Sequence, residues 1–327
     1  MQVTKRIVGV GHCCQDSICI VEQYPPEDGS THILSIDDSQ GGGAVATALV
    51  AAARLGADTA LIANLGDDAT GDRILAGFAE AGVSTETVTR IPGGRSSSSM
   101  VMVNPENGSR TKFPYRDNLP PIDFTREKHS LIEKAGALHL DGTNYANAVA
   151  AAQIAKAAGV PVSLDACSRQ KDNALNLRLA EMADILITNA VYPQAVTGCA
   201  TREEALLKLA GLGHKQVALT TLGKDGVLAV VNGKVEHIPA FTVQAVDTTG
   251  AGDVFHGAYI YAWLQGWDAK TCCRFCSGVS AIKCTRPGGR SGIPTLPILE
   301  KFLATGEIDG EELDERVRHY KYGLLNA

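Results

Sequence analysis

The sequence is poor in the features that mark several protein classes. No apolar run approaches the roughly 18 residues that span a bilayer, and the most apolar stretch, residues 44–53, is closed by Arg54 and Gly56. The start, MQVTKRIVGVGH, carries basic residues but too short an apolar core for a secretory signal. Positive charge is not in excess: 30 Lys and Arg against 36 Asp and Glu leave a net charge of -6. A global field for nucleic acid or anionic lipid is therefore absent, and only a local anion site stays open. Aromatics are 5% of the 327 residues, which argues against a surface built on base stacking. There is no G-x-x-x-x-G-K-[ST] phosphate loop, and Gly9-Val10-Gly11 lacks the third glycine of a dinucleotide fingerprint. The nine cysteines are odd in number. Cys273 and Cys276 form a lone Cys-x-x-Cys with no second pair and no nearby histidine, so zinc is not expected and reduced core thiols are. These exclusions leave a cytoplasmic protein without nucleic-acid or membrane partners.

Glycine, at 34 residues, is abundant, and with the many alanines it suggests close helix–sheet packing and tight turns. Strand-like and helix-like runs alternate. RIVGVG (6–11), TALIANLG (59–66), GALHLDG (136–142), PVSLDA (161–166), DILITN (184–189) and QVALTTLG (216–223) read as strands. DRILAGFAEAG (72–82) and ANAVAAAQIAKAAG (146–159) have helical spacing between them. Repeated β-α-β order predicts an α/β fold, a doubly wound, mostly parallel sheet flanked by helices, with its site at the carboxyl ends of the strands. Residues 12–40 and 95–117 break this rhythm with alternating segments and a turn at 105–108, and read as hairpins. They predict a small β sheet over one domain spanning 1–327, either a lid on the site or a dimerising surface. The charged tail 306–327 reads as a surface helix.

Two local patterns carry chemistry. In AVDTTGAGDVFHGA (245–258), Gly250, Ala251 and Gly252 make a tight turn and Asp253 opens an apolar helix. Small residues at a helix start expose backbone N–H groups that bind phosphate oxygens, and a carboxylate beside them is placed to take a hydroxyl proton. The alternative is that Asp253 only caps the helix. In GGGAVATALVAAARLG (41–56), three glycines precede a helix of small residues, which serves close ligand approach and close packing equally well.

Together with NLGDDATGDRILAGFAEAGV, LITNA and TTLGKDGV, these segments resemble the ribokinase, or phosphofructokinase-B type, sugar kinases over about residues 5–303. KCTRPGGRSGIP (283–294) is similar to a bacterial branch of that family that includes sulfofructose kinases. The resemblance implies ATP-dependent phosphorylation of a primary sugar hydroxyl, with Asp253 as general base and the amides of Gly250, Ala251 and Gly252 as the anion hole. It implies sugar contacts from Asp16, Gly42 and Gly43, and a nucleotide site from Asn189, Thr221, Gly223 and Gly226. Asp247 with Thr249, and the carbonyls around Arg286 and Gly288, match the region where relatives hold an activating monovalent cation such as K⁺. Two positions depart from the family pattern. Thr47, at the matched sugar-contact position, stands where Asn is common, and Asn189-Ala190-Val191-Tyr192 replaces Asn-x-x-Glu, so Mg²⁺ would depend on ATP oxygens and water, helped by Asp165.

Three further features stay open on sequence. Arg110, Lys112 and Arg116 form either an anion contact for a substrate or a solvated hairpin, and Arg290 either joins them or braces its own loop. His256, one turn after Asp253, reads as a packed core histidine ahead of a ligand contact. The sequence thus predicts a homodimeric sugar kinase. Alternatives are a kinase for an anionic ketose, a nucleoside kinase and a non-catalytic sugar-binding regulator.

Overall fold

The apolar strand segments are buried on both sides, and that fixes the architecture. The structure is a computed structural model describing residues 5–104, 110–167 and 170–322, with the side chains at 38, 39, 110, 321 and 322 left out. The turn expected at 105–108, the Arg110 side chain and the end of the tail lie outside the described residues. Eight strands form the main sheet. β1 (Ile7–Val10), β4 (Thr59–Ile62), β9 (Ala137–Leu140), β10 (Val162–Ala166), β11 (Ile185–Thr188) and β12 (Val217–Thr221) are parallel. β13 (Val227–Val231) and β14 (Lys234–Ile238) add an antiparallel edge, giving the order β14-β13-β12-β11-β10-β9-β1-β4.

Alternate residues point to opposite faces. Ile7, Leu61, Ile185 and Leu219 join one core with α1 (Ala44–Arg54), α8 (Ala251–Leu264), α9 (Ala269–Cys284) and α10 (Leu296–Thr305). Val8, Ile62, Leu138 and Leu186 join the other with α3 (Arg126–Glu133), α4 (Tyr145–Ala157) and α5 (Asn173–Met182). Helices therefore cover both faces, which is why these strands read as continuous apolar runs. The remaining helices are α2 (Ala69–Ala81), α6 (Tyr192–Thr197), α7 (Arg202–Ala210) and α11 (Glu311–Tyr322). No helix among the described residues is long and apolar enough to cross a membrane.

A second sheet, in the order β3-β2-β7-β8, is built from β2 (Cys14–Val21), β3 (Ile33–Gly42), β7 (Ser98–Val103) and β8 (Arg110–Tyr115). Each hairpin is antiparallel and the two join through parallel β2 and β7. The run 59–66 is not one strand. It breaks at Ala63, and β5 (Asn64–Gly66) leaves the main sheet to pair with β6 (Thr89–Ile91). The tail also differs from a plain surface helix. Leu313 and Tyr320 of α11 are buried, and Arg316 donates to the carbonyls of Ser291 and Ile293. Two apolar residues seven apart make a stripe too narrow to stand out among the charges, yet enough to dock one face.

The contact between α1 and α8 sets the site. Nine residues of α1, Ala44 to Ala52, are buried, and a Cβ at Gly257 of α8 would lie 1.9 Å from the Ala48 carbonyl. The small residues thus hold the two helices at backbone contact, with their glycine-bearing N-termini side by side.

Candidate active site

A cleft of about 630 Å³ opens between the carboxyl ends of β1 and β9 and the second sheet. It is lined by Asp253, Asp16, Gly43, Lys112, Arg116 and Asp141, among others, so residues far apart in sequence meet in one space. A hollow of about 710 Å³ lies at the other end of the strands, by Arg6, Ser84 and Lys134. Sheets of this kind place their chemistry at the carboxyl ends, and none of the predicted site residues borders that hollow.

Asp253 occupies the first turn of α8, where the positive end of the helix favours a carboxylate. Gly250 is the N-cap at φ 72, a left-handed conformation that needs glycine. The first intrahelical bond runs from Val254 N–H to the Gly250 carbonyl at 2.9 Å. The Ala251 amide closes a turn on the Thr248 carbonyl at 3.2 Å. Of the three amides expected to face an anion, those of Gly250 and Gly252 are thus left for that role. A Cβ at Gly252 would meet nothing within 4 Å, so the protein keeps that face of the turn open.

Asp16 on β2 is 7% exposed and held in place: the Ser99 hydroxyl and the Cys14 thiol both donate to its Oδ1. Its Oδ2 lies 2.3 Å from where a Gly42 Cβ would stand, so glycine there is the condition for Asp16's position. Burial, and then the Asp16 charge, push the Cys14 thiol well above its usual range, which keeps it a neutral donor. Gly43, the N-cap of α1, lines the cleft beside Asp16.

Thr47 is not at the cleft. One turn into α1, it is 1% exposed and its hydroxyl accepts from Arg290 Nε at 3.3 Å. The sugar contact expected of it is corrected to a structural one, because the helix turns this position toward Arg290. Arg290, 2% exposed, also donates Nη2 to the Gly42 carbonyl at 3.1 Å and lies 5.3 Å from the Phe78 ring centroid. It braces the glycine segment from behind and does not join Lys112. Burial lowers its pKa. Lys112 and Arg116, both exposed, border the cleft itself.

The residues expected around a nucleotide stand on the neighbouring strands. Asn189 follows β11, and its Oδ1 accepts from the amides of Val191 and Tyr192, at 3.1 and 2.9 Å, so its side-chain NH₂ is the group left for a phosphate. Tyr192 is a core residue at 1% exposure, bonded to the Asn176 carbonyl, and no metal ligand. Thr221 ends β12 and donates to the Thr188 carbonyl at 3.3 Å. Gly223 and Gly226 bound the 3-10 turn after it, with open space at Gly223. Among the described residues no three His, Cys, Asp or Glu side chains gather to hold a metal. Asp165 on β10 is 7% exposed and pairs with His256 Nε2 at 3.3 Å, and His256 is itself buried, as the sequence indicated. The rings of His256 and His139 are 5.6 Å apart, and burial with the neighbouring His256 lowers the His139 pKa to about 4.

Sequence reading missed Asp141. It is 1% exposed at the end of β9, and its carboxylate accepts from the amides of His12 (2.7 Å) and Thr143 (2.8 Å), which shapes two loops of the cleft. An Asp-Gly directly after an apolar strand was its signal.

Asp247, Thr249 and Gly288 do come together. The Asp247 carboxylate accepts from Thr249 N–H at 2.7 Å and Gly288 N–H at 2.8 Å. Its carbonyl, however, accepts from the Lys283 ammonium at 2.9 Å. The Arg286 side chain pairs with Asp314 of α11, so only the carbonyls of its loop are left to serve an ion. The Asp247 oxygens are thus already served by two amides and an ammonium, which leaves them poorly suited to a monovalent cation.

Residues 4–296 match the family described as pfkB family carbohydrate kinase. A ribokinase of Haemophilus influenzae is 31% identical over 269 residues, covering 80% of this chain and 87% of that protein. An ATP-dependent ribose-1-phosphate kinase of Halopiger xanaduensis is 29% identical, covering 91% and 98%. The solved structure of Arabidopsis thaliana ribokinase superposes with a TM-score of 0.81 at 24% identity, covering 92% of this chain and 99% of that one.

Proposed function

The chain belongs to the pfkB family of carbohydrate kinases, and from that we propose that it moves the γ-phosphoryl of ATP to a primary hydroxyl of a sugar bound in the Asp16–Asp253 cleft. The observation that carries the reading is the meeting of Asp253, on an open helix N-terminus, with the anchored Asp16 in that one cleft. Asp16 accepts hydrogen bonds from sugar hydroxyls. Asp253 accepts the proton of the attacking hydroxyl as its oxygen bonds to phosphorus, and the bond from phosphorus to the bridging oxygen of ADP breaks. The proton then passes from Asp253 to solvent. Amides of Gly250 and Gly252 face the oxygens of the transferring group, where positioning and charge stabilisation supply most of the rate. Mg²⁺ carried on the ATP phosphates would neutralise their charge; Asn189, through its side-chain NH₂, would orient a phosphate, and Asp165 would help hold the ion's water. The second sheet acts as a lid that excludes water over the sugar. Its exposed Ile33, Leu34, Met100 and Phe113 support a homodimer formed on that sheet. The nine free thiols support a cytoplasmic, reducing setting.

A second reading, an anionic sugar as substrate, is favoured by Lys112 and Arg116 at the rim of the same cleft. ADP release is measured with neutral sugars, phosphorylated or sulfonated sugars and nucleosides. Turnover of any sugar supports the kinase reading, and silence despite sugar binding supports a regulator. With an anionic substrate, Lys112→Ala with Arg116→Ala raises KM about tenfold or more, the worth of a charge-assisted hydrogen bond. An unchanged KM removes the anion site.

A further inference from the structure

Among the described residues Lys283 is the one lysine wholly enclosed at 0% exposure, and the reaction as described has no use for it. Lysine is almost never fully buried without partners. Its place, in the last turn of α9, reads in sequence as an ordinary complement to the helix dipole. In the fold the side chain instead turns inward to the Asp247 carbonyl. That carbonyl lies at the start of the Asp247-Thr248-Thr249-Gly250 turn, which ends as the N-cap of α8.

Two stretches of chain are tied together beside this ammonium, the turn and the loop after α9. Asp247 ties the turn to the loop after α9 through the Gly288 amide, and the Val246 and Asp247 amides both donate to the Cys284 carbonyl. The same loop touches the turn again at Gly250, where an added Cβ would lie 3.1 Å from the Gly289 carbonyl. Gly292 closes the loop back onto the Lys283 carbonyl, 2.4 Å from where its own Cβ would be. Burial alone would raise the Asp247 carboxyl, but the Lys283 charge and the amides of Thr249 and Gly288 together hold it below the usual carboxylate range.

We propose that the Lys283 ammonium is a built-in monovalent cation, fixing the Asp247–Gly250 turn so that the kinase needs no K⁺. An ammonium has the charge of K⁺ and a comparable size, and here it donates to the Asp247 carbonyl, an oxygen of the kind a bound ion would take. A second unit charge placed on the same carbonyl would be repelled at a few ångströms. Lys283 is a positioning residue: it acts on phosphoryl transfer through the turn that sets the amides of Gly250 and Gly252.

The test compares K⁺, NH₄⁺ and tetramethylammonium chlorides at matched ionic strength, so that screening is constant. The activity arm rests on the kinase reading. The wild type turns over at the same rate in all three salts. Lys283→Ala, which leaves room for an ion, is slowed roughly tenfold or more in tetramethylammonium and recovers in K⁺ or NH₄⁺. Lys283→Met, which fills the space without charge, is slow in every salt. Melting temperatures form a second arm, independent of turnover: K⁺ raises the Tm of Lys283→Ala relative to tetramethylammonium and leaves that of the wild type unmoved. A wild type that needs K⁺ overturns the proposal, and so does a Lys283→Met enzyme as fast as the wild type. A Tm of the wild type that climbs with K⁺ overturns it as well. If the wild type is silent in all salts, the kinase reading has failed, and the melting arm still decides the role of Lys283.

Discussion

Gly252→Ala separates an anion-facing turn from a merely structural one. Gly252 is the second residue of α8 and exposed, its φ is outside the left-handed range, and an added Cβ meets no atom within 4 Å. The protein therefore tolerates alanine. Replacing glycine inside a helix gains about 0.5–1 kcal/mol, less in a first turn, so Tm rises by about 1–2 °C or stays level for a chain of this size. The consequence for a ligand is the reverse. An oxygen of the transferring group has to sit about 2.7–3.1 Å from its amide donor, and a methyl group on that face pushes it outward. A misplacement of about 1 Å costs on the order of 100-fold in rate, or about 2.7 kcal/mol of barrier. Steady-state ADP release with a thermal melt reads both quantities. The expected result is a kcat about 100-fold lower with an unchanged or higher Tm. A variant with wild-type kcat would show that the open face of this turn does not meet the phosphoryl group.

Two other predictions concern sugar binding and pH. Asp16→Asn keeps the shape that Ser99 and Gly42 enclose but removes the charge. A loss of about 1.5–3 kcal/mol per charge-assisted bond raises the sugar KM about 10- to 100-fold and leaves the ATP KM unchanged, read by varying each substrate in turn. His139 titrates at about 4 in the folded chain against 6.5 as a free side chain, because it is enclosed beside His256. Between those pH values the unfolded state binds more protons, so stability falls as pH drops from about 6.5 to 4, by roughly 3 kcal/mol from this group. In denaturant titrations across that range, His139→Leu should show a flatter pH dependence than the wild type; equal slopes would refute the assignment.

The parallel order was legible because both faces of the sheet are covered, which turns strands such as Ile185–Thr188 into apolar runs between helical spacings. The α8 turn was legible because Gly250, Gly252 and Asp253 are adjacent in sequence as well as in space. Asp16 came only from family resemblance, since nothing local distinguishes it from other carboxylates in a strand. Arg290 was ambiguous because its partners, Thr47 and Gly42, lie 243 and 248 residues away, and a surface arginine and a buried one look alike in sequence. Lys283 was hidden for a similar reason: it occupies an ordinary position for a cation at a helix end, and only the packing of the following loop turns it inward. The break of the run 59–66 at Ala63 depends on β6, whose pairing with β5 has no local mark. The apolar docking of α11 rests on Leu313 and Tyr320, and its polar ties, from Arg316 to the Ser291 and Ile293 carbonyls, have no local mark in sequence.

The central claim is that Asp253 takes the proton of the attacking hydroxyl, and Asp253→Asn tests it most directly. Single-turnover transfer from ATP is measured with the sugar that the wild type turns over, alongside the binding of sugar and ATP to the variant. The account predicts binding close to wild type and transfer slowed by about 10²- to 10⁴-fold, the contribution of a positioned general base. Transfer within a few-fold of wild type, with binding intact, would contradict it and leave Asp253 as the cap of a helix.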